Sequence, residues 1–94
     1  MQSSSNQRKI VHYGGQVQGV GFRYTAQRIS QQYEVVGYVR NLRDGRVEIV
    51  AESSPECLAK FLDSIAEAMS GYIQETQIDL LPWTGEFDRF EIRY

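Results

Sequence analysis

The sequence predicts an α+β domain: two helices on one face of an antiparallel sheet, ordered β-α-β-β-α-β with a short extra strand at the end. Three observations predict it. Apolar residues switch between alternation and helical spacing twice along the chain. Asp44-Gly45 is a hairpin signal between two strand-like segments. Ser53-Ser54-Pro55-Glu56 is a helix start directly after the second of those segments.

Lys9 to Tyr13 reads as the first strand, with Val11 and Tyr13 on one face and Ile10 and His12 on the other. A Gly-rich stretch follows. From Phe22 the period changes, and Phe22, Ala26, Ile29 and Tyr33 fall on one face of a helix. Val35 to Leu42 is the second strand, and Arg46 to Glu52 the third, with Val47, Ile49 and Ala51 on one face. In the second helix Glu56 either closes a capping box or faces the positive helix end. Leu58, Phe61, Leu62, Ile65 and Met69 form its apolar stripe, and Ser70-Gly71 ends it. Tyr72 to Leu80 reads as a strand, Pro82-Trp83-Thr84-Gly85 as a turn, and Phe90, Ile92 and Tyr94 alternate in a final strand. This is the split-βαβ, ferredoxin-like plan, an α/β sandwich. Its first two strands run parallel with the third between them. The Gly-rich loop and Asn41 therefore share one end of the sheet, roughly 9–10 Å apart.

The 94 residues suffice for one small domain. Residues 1–8 read as a flexible tail and 9–94 as the domain. Ten basic residues against twelve acidic ones give a net charge of −2, which argues against nucleic-acid binding. The segment Arg-Val-Glu-Ile-Val-Ala-Glu also lacks the stacking aromatics of an RNA-binding sheet. No apolar run is long enough for a membrane span, and the polar start is unlike a signal peptide. The single Cys57 cannot form an internal disulfide, so a reducing compartment, the cytoplasm, is expected. No large apolar patch is implied, so a monomer is the default.

Residues 15–23 read GQVQGVGFR. Glycines let backbone curl close to a ligand. Successive N–H groups at a helix mouth make a concave anion site. Arg23 falls in the first helical turn, where the dipole disfavours a cation by ~0.3–1 kcal/mol and a bound dianion reverses the sign. Arginine also matches a phosphate with two hydrogen bonds. The residues therefore allow two readings, a phosphate or carboxylate cradle capped by Arg23, or a structural loop with a solvent-facing arginine. Neither nucleotide-binding glycine fingerprint is present.

Gly15-Gln16-Val17-Gln18-Gly19-Val20-Gly21-Phe22-Arg23 resembles the signature of acylphosphatases. Gly37-Tyr38-Val39-Arg40-Asn41, followed by Asp44-Gly45-Arg46-Val47, resembles that family's second signature, and Phe90-Glu91-Ile92-Arg93-Tyr94 its C-terminus. The resemblance covers residues 9–94 and implies the same ferredoxin-like fold. It implies hydrolysis of the carboxyl-phosphate anhydride of small acyl phosphates to a carboxylate and inorganic phosphate. It implies that Arg23 binds the phosphoryl group beside the backbone amides of Gln16, Val17, Gln18, Gly19, Val20, Gly21 and Phe22. It further implies that Asn41 positions the attacking water, with no metal, other cofactor or covalent intermediate. Two positions depart from the family pattern. Leu42 stands where some members of the family carry a small hydroxyl residue, so any hydrogen bond from that position is absent. Gly14 replaces a bulkier residue and is expected to loosen the end of the first strand.

The remaining polar residues read as structural. His12 lies on a strand face, and Cys57 near a helix start has no visible base partner. Trp83 and Tyr72 read as packing residues, and Glu52, Glu56 and Asp63 as caps and solvated faces. Arg40, Arg43 and Arg46 either steer anions toward the loop or form a solvated edge. A non-catalytic anion- or partner-binding module on the same fold is the competing function. A cradle that reads only the phosphate leaves the acyl group weakly specified.

Overall fold

A computed structural model describes residues 6–94. The sheet contains β1 (Gln7–Gly15), β2 (Val36–Asn41), β3 (Val47–Ser53), β4 (Ile73–Pro82) and β5 (Phe90–Arg93). Helices α1 (Phe22–Tyr33) and α2 (Pro55–Ala68) are the two crossovers. The spatial order is β4-β1-β3-β2-β5. As expected, β1 and β2 flank β3, and both pair with it antiparallel. The sheet is not wholly antiparallel, because β5 joins the far edge parallel to β2.

Central β3 is buried on both faces. Val47, Ile49 and Ala51 point at the helices with no exposed surface, and Val50 is buried on the other side. Val11, Tyr13 and Val39 extend the inner face. Against it α1 lays Phe22, Ala26 and Ile29, and α2 lays Leu58, Phe61, Leu62 and Ile65. Each large side chain buried this way contributes roughly 1.5–3 kcal/mol. Tyr33 Oη and Ser64 Oγ, 3.0 Å apart, join the two helices. At the start of α2, Ser54 accepts a hydrogen bond from the Cys57 amide and Pro55 occupies the first turn. Glu56 lies in that turn and faces the positive helix end, so the capping box is not used.

Several boundaries and environments differ from the sequence reading. Residues 1–5 of the expected tail lie outside the described residues, but Gln7 and Arg8 already belong to β1, opposite Ser53 and Glu52. Gly14 does not fray the strand. The pairing with β4 continues through a register shift to Gly15 opposite Ile73. Strand β4 lies beyond the helices, so Ile78 and Leu80 are 50% and 60% exposed, an apolar edge that alternation alone did not reveal. Trp83 and Tyr72 are likewise only partly covered, though Trp83 leans over Gly85.

The largest correction concerns Glu52, which is 1% exposed rather than solvated. Its Oε2 accepts from the Thr84 amide at 3.0 Å and the Thr84 hydroxyl at 2.7 Å, and its Oε1 accepts from the Gly85 amide at 3.0 Å. Arg8 Nη1 adds a longer contact at 3.4 Å. These bonds hold the connection from β4 to β5, which must pass from one sheet edge to the other. Phe87 of that connection packs edge-on against Tyr38 of β2, with ring centres 6.0 Å apart. The cover over Val50 follows from this crossing.

On the same helix-free face, Glu48 accepts from Arg40 Nε at 2.8 Å and lies 2.9 Å from His12 Nε2. Partial burial works to raise its carboxyl, and the hydrogen bonds from His12 and Arg40 outweigh this, so its pKa lies below the ordinary 4.5. The stabilisation from Glu48 is therefore present above that value and is lost as the pH falls below it. Urea unfolding from about pH 6 to about pH 3 should show a shallower acid loss in Glu48→Gln than in wild type. Identical slopes would remove Glu48 from the acid response.

Gly37 carries the tightest backbone constraint. Its φ is +140°, and a Cβ there would run into the Val50 carbonyl of β3. Gly37→Ala is expected to destabilise the fold by at least about 2 kcal/mol in denaturant unfolding.

Candidate active site

The loop between β1 and α1 is pinned by its valines. Val17 is fully buried and Val20 packs against the core. Between and after them, Gly19 and Gly21 adopt left-handed φ of +78° and +81°, which folds the loop back on the helix start. Gly21 is the N-cap of α1 and offers no side chain to it. No acidic residue lies in the first turn. The first backbone bond of the helix runs from Thr25 N–H to the Gly21 carbonyl at 3.0 Å. Among the described residues, no protein group accepts from the amides of Val17 through Tyr24 outside regular helix bonding. The positive end of α1 is thus uncompensated, and its orphan donors are available to an anion.

Gln16 differs from the rest of the expected cradle. Its amide donates to the Tyr72 carbonyl at 2.9 Å, so the free amides begin at Val17. Arg23 is partly buried and forms no ion pair among the described residues. Its guanidinium carbon lies 4.8 Å from the centre of the Tyr94 ring. Asn41 is the last residue of β2, opposite Val47 of β3. A cavity of about 210 Å³ is lined by Val17, Gly19, Gly21, Phe22, Arg23 and Tyr24 from one side and Asn41 from the other. The two motifs, separated in sequence by the remainder of α1, meet there.

The other sequence candidates lie elsewhere. Arg40 is paired with Glu48 and Arg46 with Asp44, the latter at 2.9 Å, so two of the three arginines near this end are already neutralised. His12 is on the helix-free face. Cys57 is at the start of α2, at the opposite end of the sheet.

The acylphosphatase family model matches residues 9–92. The chain belongs to the acylphosphatase family. Membership makes it an acyl phosphate hydrolase. An acylphosphatase of Yersinia pseudotuberculosis is 38% identical over 89 residues, covering 90% of this chain and 94% of that protein. One from Methanospirillum hungatei is 50% identical over 60 residues, 64% of this chain and 66% of that protein. The crystal structure of the Bacillus subtilis acylphosphatase superposes with a TM-score of 0.81 at 31% identity, covering 95% of this chain and 99% of that one. No helix of the described residues is long and apolar enough to cross a membrane.

Within the family frame, one contact in this chain was missed by sequence reasoning. The Gln18 side chain reaches across to the β2–β3 hairpin, where Nε2 donates to the Leu42 carbonyl at 2.7 Å and the Arg46 carbonyl at 2.9 Å. Leu42 has no hydroxyl to offer, yet its backbone ties the hairpin to the loop. Gln18 was read only for its amide, because nothing local in sequence indicates a partner beyond α1. Tyr24 also escaped notice, although its place off the apolar spacing of α1 marks it as exposed. Gln18→Ala removes two hydrogen bonds and should lower stability by about 1–2 kcal/mol. Faster amide exchange confined to the loop and the 42–46 hairpin would identify the strap as the cause.

Proposed function

We propose that the amides of Val17 through Phe22 and the Arg23 guanidinium hold the phosphoryl group of a small acyl phosphate, while Asn41 orients the water that attacks it. One observation carries this reading. Unbonded amides at an uncapped helix start, an arginine without an ion pair and the side chain of Asn41 line a single cavity. An anion there satisfies the orphan donors, the helix dipole and Arg23 together.

The chemistry asks for little else. The bond from the water oxygen to phosphorus forms as the bond from phosphorus to the acyl oxygen breaks. The leaving group departs as a carboxylate whose acid has a pKa of about 4, so it needs no proton donor. Charge on the equatorial oxygens is stabilised by the fixed amides and Arg23. Asn41 removes the orientational search of the water. The water proton passes to a phosphate oxygen of the substrate. One chain supplies every group named, and we take the monomer as the catalytic unit. The single thiol Cys57 has no partner within the chain, which supports a reducing, cytoplasmic setting.

The wild-type protein should hydrolyse acetyl phosphate and benzoyl phosphate at neutral pH, with excess chelator leaving the rate unchanged. Arg23→Gln and Asn41→Ala should each lower kcat by about 10²–10³-fold with the fold retained. Wild-type kcat in Asn41→Ala would remove the water-orienting role.

A further inference from the structure

The hydrolase reading leaves the acyl group without a partner, and the cavity rim offers one. The cradle amides take the phosphoryl oxygens, so the bridging oxygen and acyl carbon point outward over the rim. Of the lining side chains, Val17 and Phe22 are buried in the core, and Gly19 and Gly21 contribute none. Arg23 and Asn41 serve the phosphate and the water. Tyr24 remains, with 66% of its surface exposed.

Tyr24 does not stand alone. Tyr94, 89% exposed, lies against Arg23 with its ring centre 4.8 Å from the guanidinium carbon. Tyr24 follows Arg23 directly in α1 and lines the cavity beside it. Both rings therefore stand at the mouth of the cavity, one following Arg23 in α1 and the other following β5. Neither belongs to the buried core. No cation other than Arg23 lines the cavity, so a second negative charge on the substrate would find no partner there.

Resting on the hydrolase reading, we infer that Tyr24, at the rim beside Arg23, is the acyl-side platform of the site and selects acyl phosphates with a flat aromatic acyl group over those with a small aliphatic one. A planar aromatic acyl group stacks on such a surface, whereas an acetyl group presents only a methyl. The effect is a modest preference on top of a cradle that reads the phosphate.

The test compares kcat/KM for benzoyl phosphate and acetyl phosphate in wild type, Tyr24→Ala and Tyr24→Phe. In Tyr24→Ala the benzoyl-over-acetyl ratio should fall roughly three- to tenfold, mainly through the KM for benzoyl phosphate. Tyr24→Phe keeps the ring and should keep most of the ratio. An unchanged ratio in Tyr24→Ala, or an equal fall for both substrates, overturns the platform. A ratio lost as fully in Tyr24→Phe as in Tyr24→Ala also overturns it, because the hydroxyl rather than the ring would then be responsible. Wild-type protein inert toward both substrates would instead overturn the hydrolase reading.

Discussion

The start of α1 is a helix terminus that the protein leaves unfinished. Orphan N–H groups are normally met by a cap, by water or by a ligand. Here the N-cap is Gly21, the first turn has no acid, and the second helical residue is a cation. Every one of these choices weakens the isolated helix end, and every one is reversed in sign by a bound dianion. The surrounding structure holds this arrangement in place. Val17 and Val20 root the loop in the core, and Gln18 straps it to the hairpin that carries Asn41. The helix end is rigidly held open because its neighbours, and not its own hydrogen bonds, fix it.

A second line of support starts at the opposite end of the sheet. Strands β4 and β5 occupy opposite edges, so the chain must cross between them. The buried carboxylate of Glu52 makes that crossing stable, since two backbone amides and a hydroxyl replace the water it gave up. Phe90 then locks β5 by packing edge-on to Phe61 of α2, with ring centres 5.5 Å apart. Because β5 runs parallel to β2, the chain heads back toward the active-site end and delivers Tyr94 to Arg23. A buried acid at one end of the molecule thus sets which side chain stands beside Arg23 at the other.

Features decided by neighbours in sequence were legible from sequence. The stripe of Phe22, Ala26 and Ile29, the Asp44-Gly45 turn and the Ser54-Pro55 helix start all appear where their local chemistry places them. So does the meeting of Arg23 and Asn41, since it follows from strand order alone. Features decided by distant partners were not legible. Glu52 follows an alternating strand and looks solvated until Thr84 and Gly85, more than thirty positions on, fold over it. The amide of Gln16 looks identical to its neighbours until the Tyr72 carbonyl claims it. The partial exposure of β4 depends on how far two helices reach across five strands, which no single segment encodes.

The division of labour in the site follows from the charges involved. A phosphoryl dianion interacts with many fixed dipoles at once, so its binding is strong and insensitive to what it is attached to. An acyl group offers no charge and little polarity, so only contact area can distinguish one from another. Strong, unspecific recognition therefore belongs in the loop, where the amides are pinned. Weak, selective recognition belongs at the exposed rim, where a side chain can change without disturbing the helix end. Tyr24 occupies that rim while its immediate neighbours, Arg23 and Phe22, face the cavity and the core. On the proposed reading, three successive residues of one helical turn serve the core, the reaction and the choice of substrate, because a helix turns each of them toward a different partner.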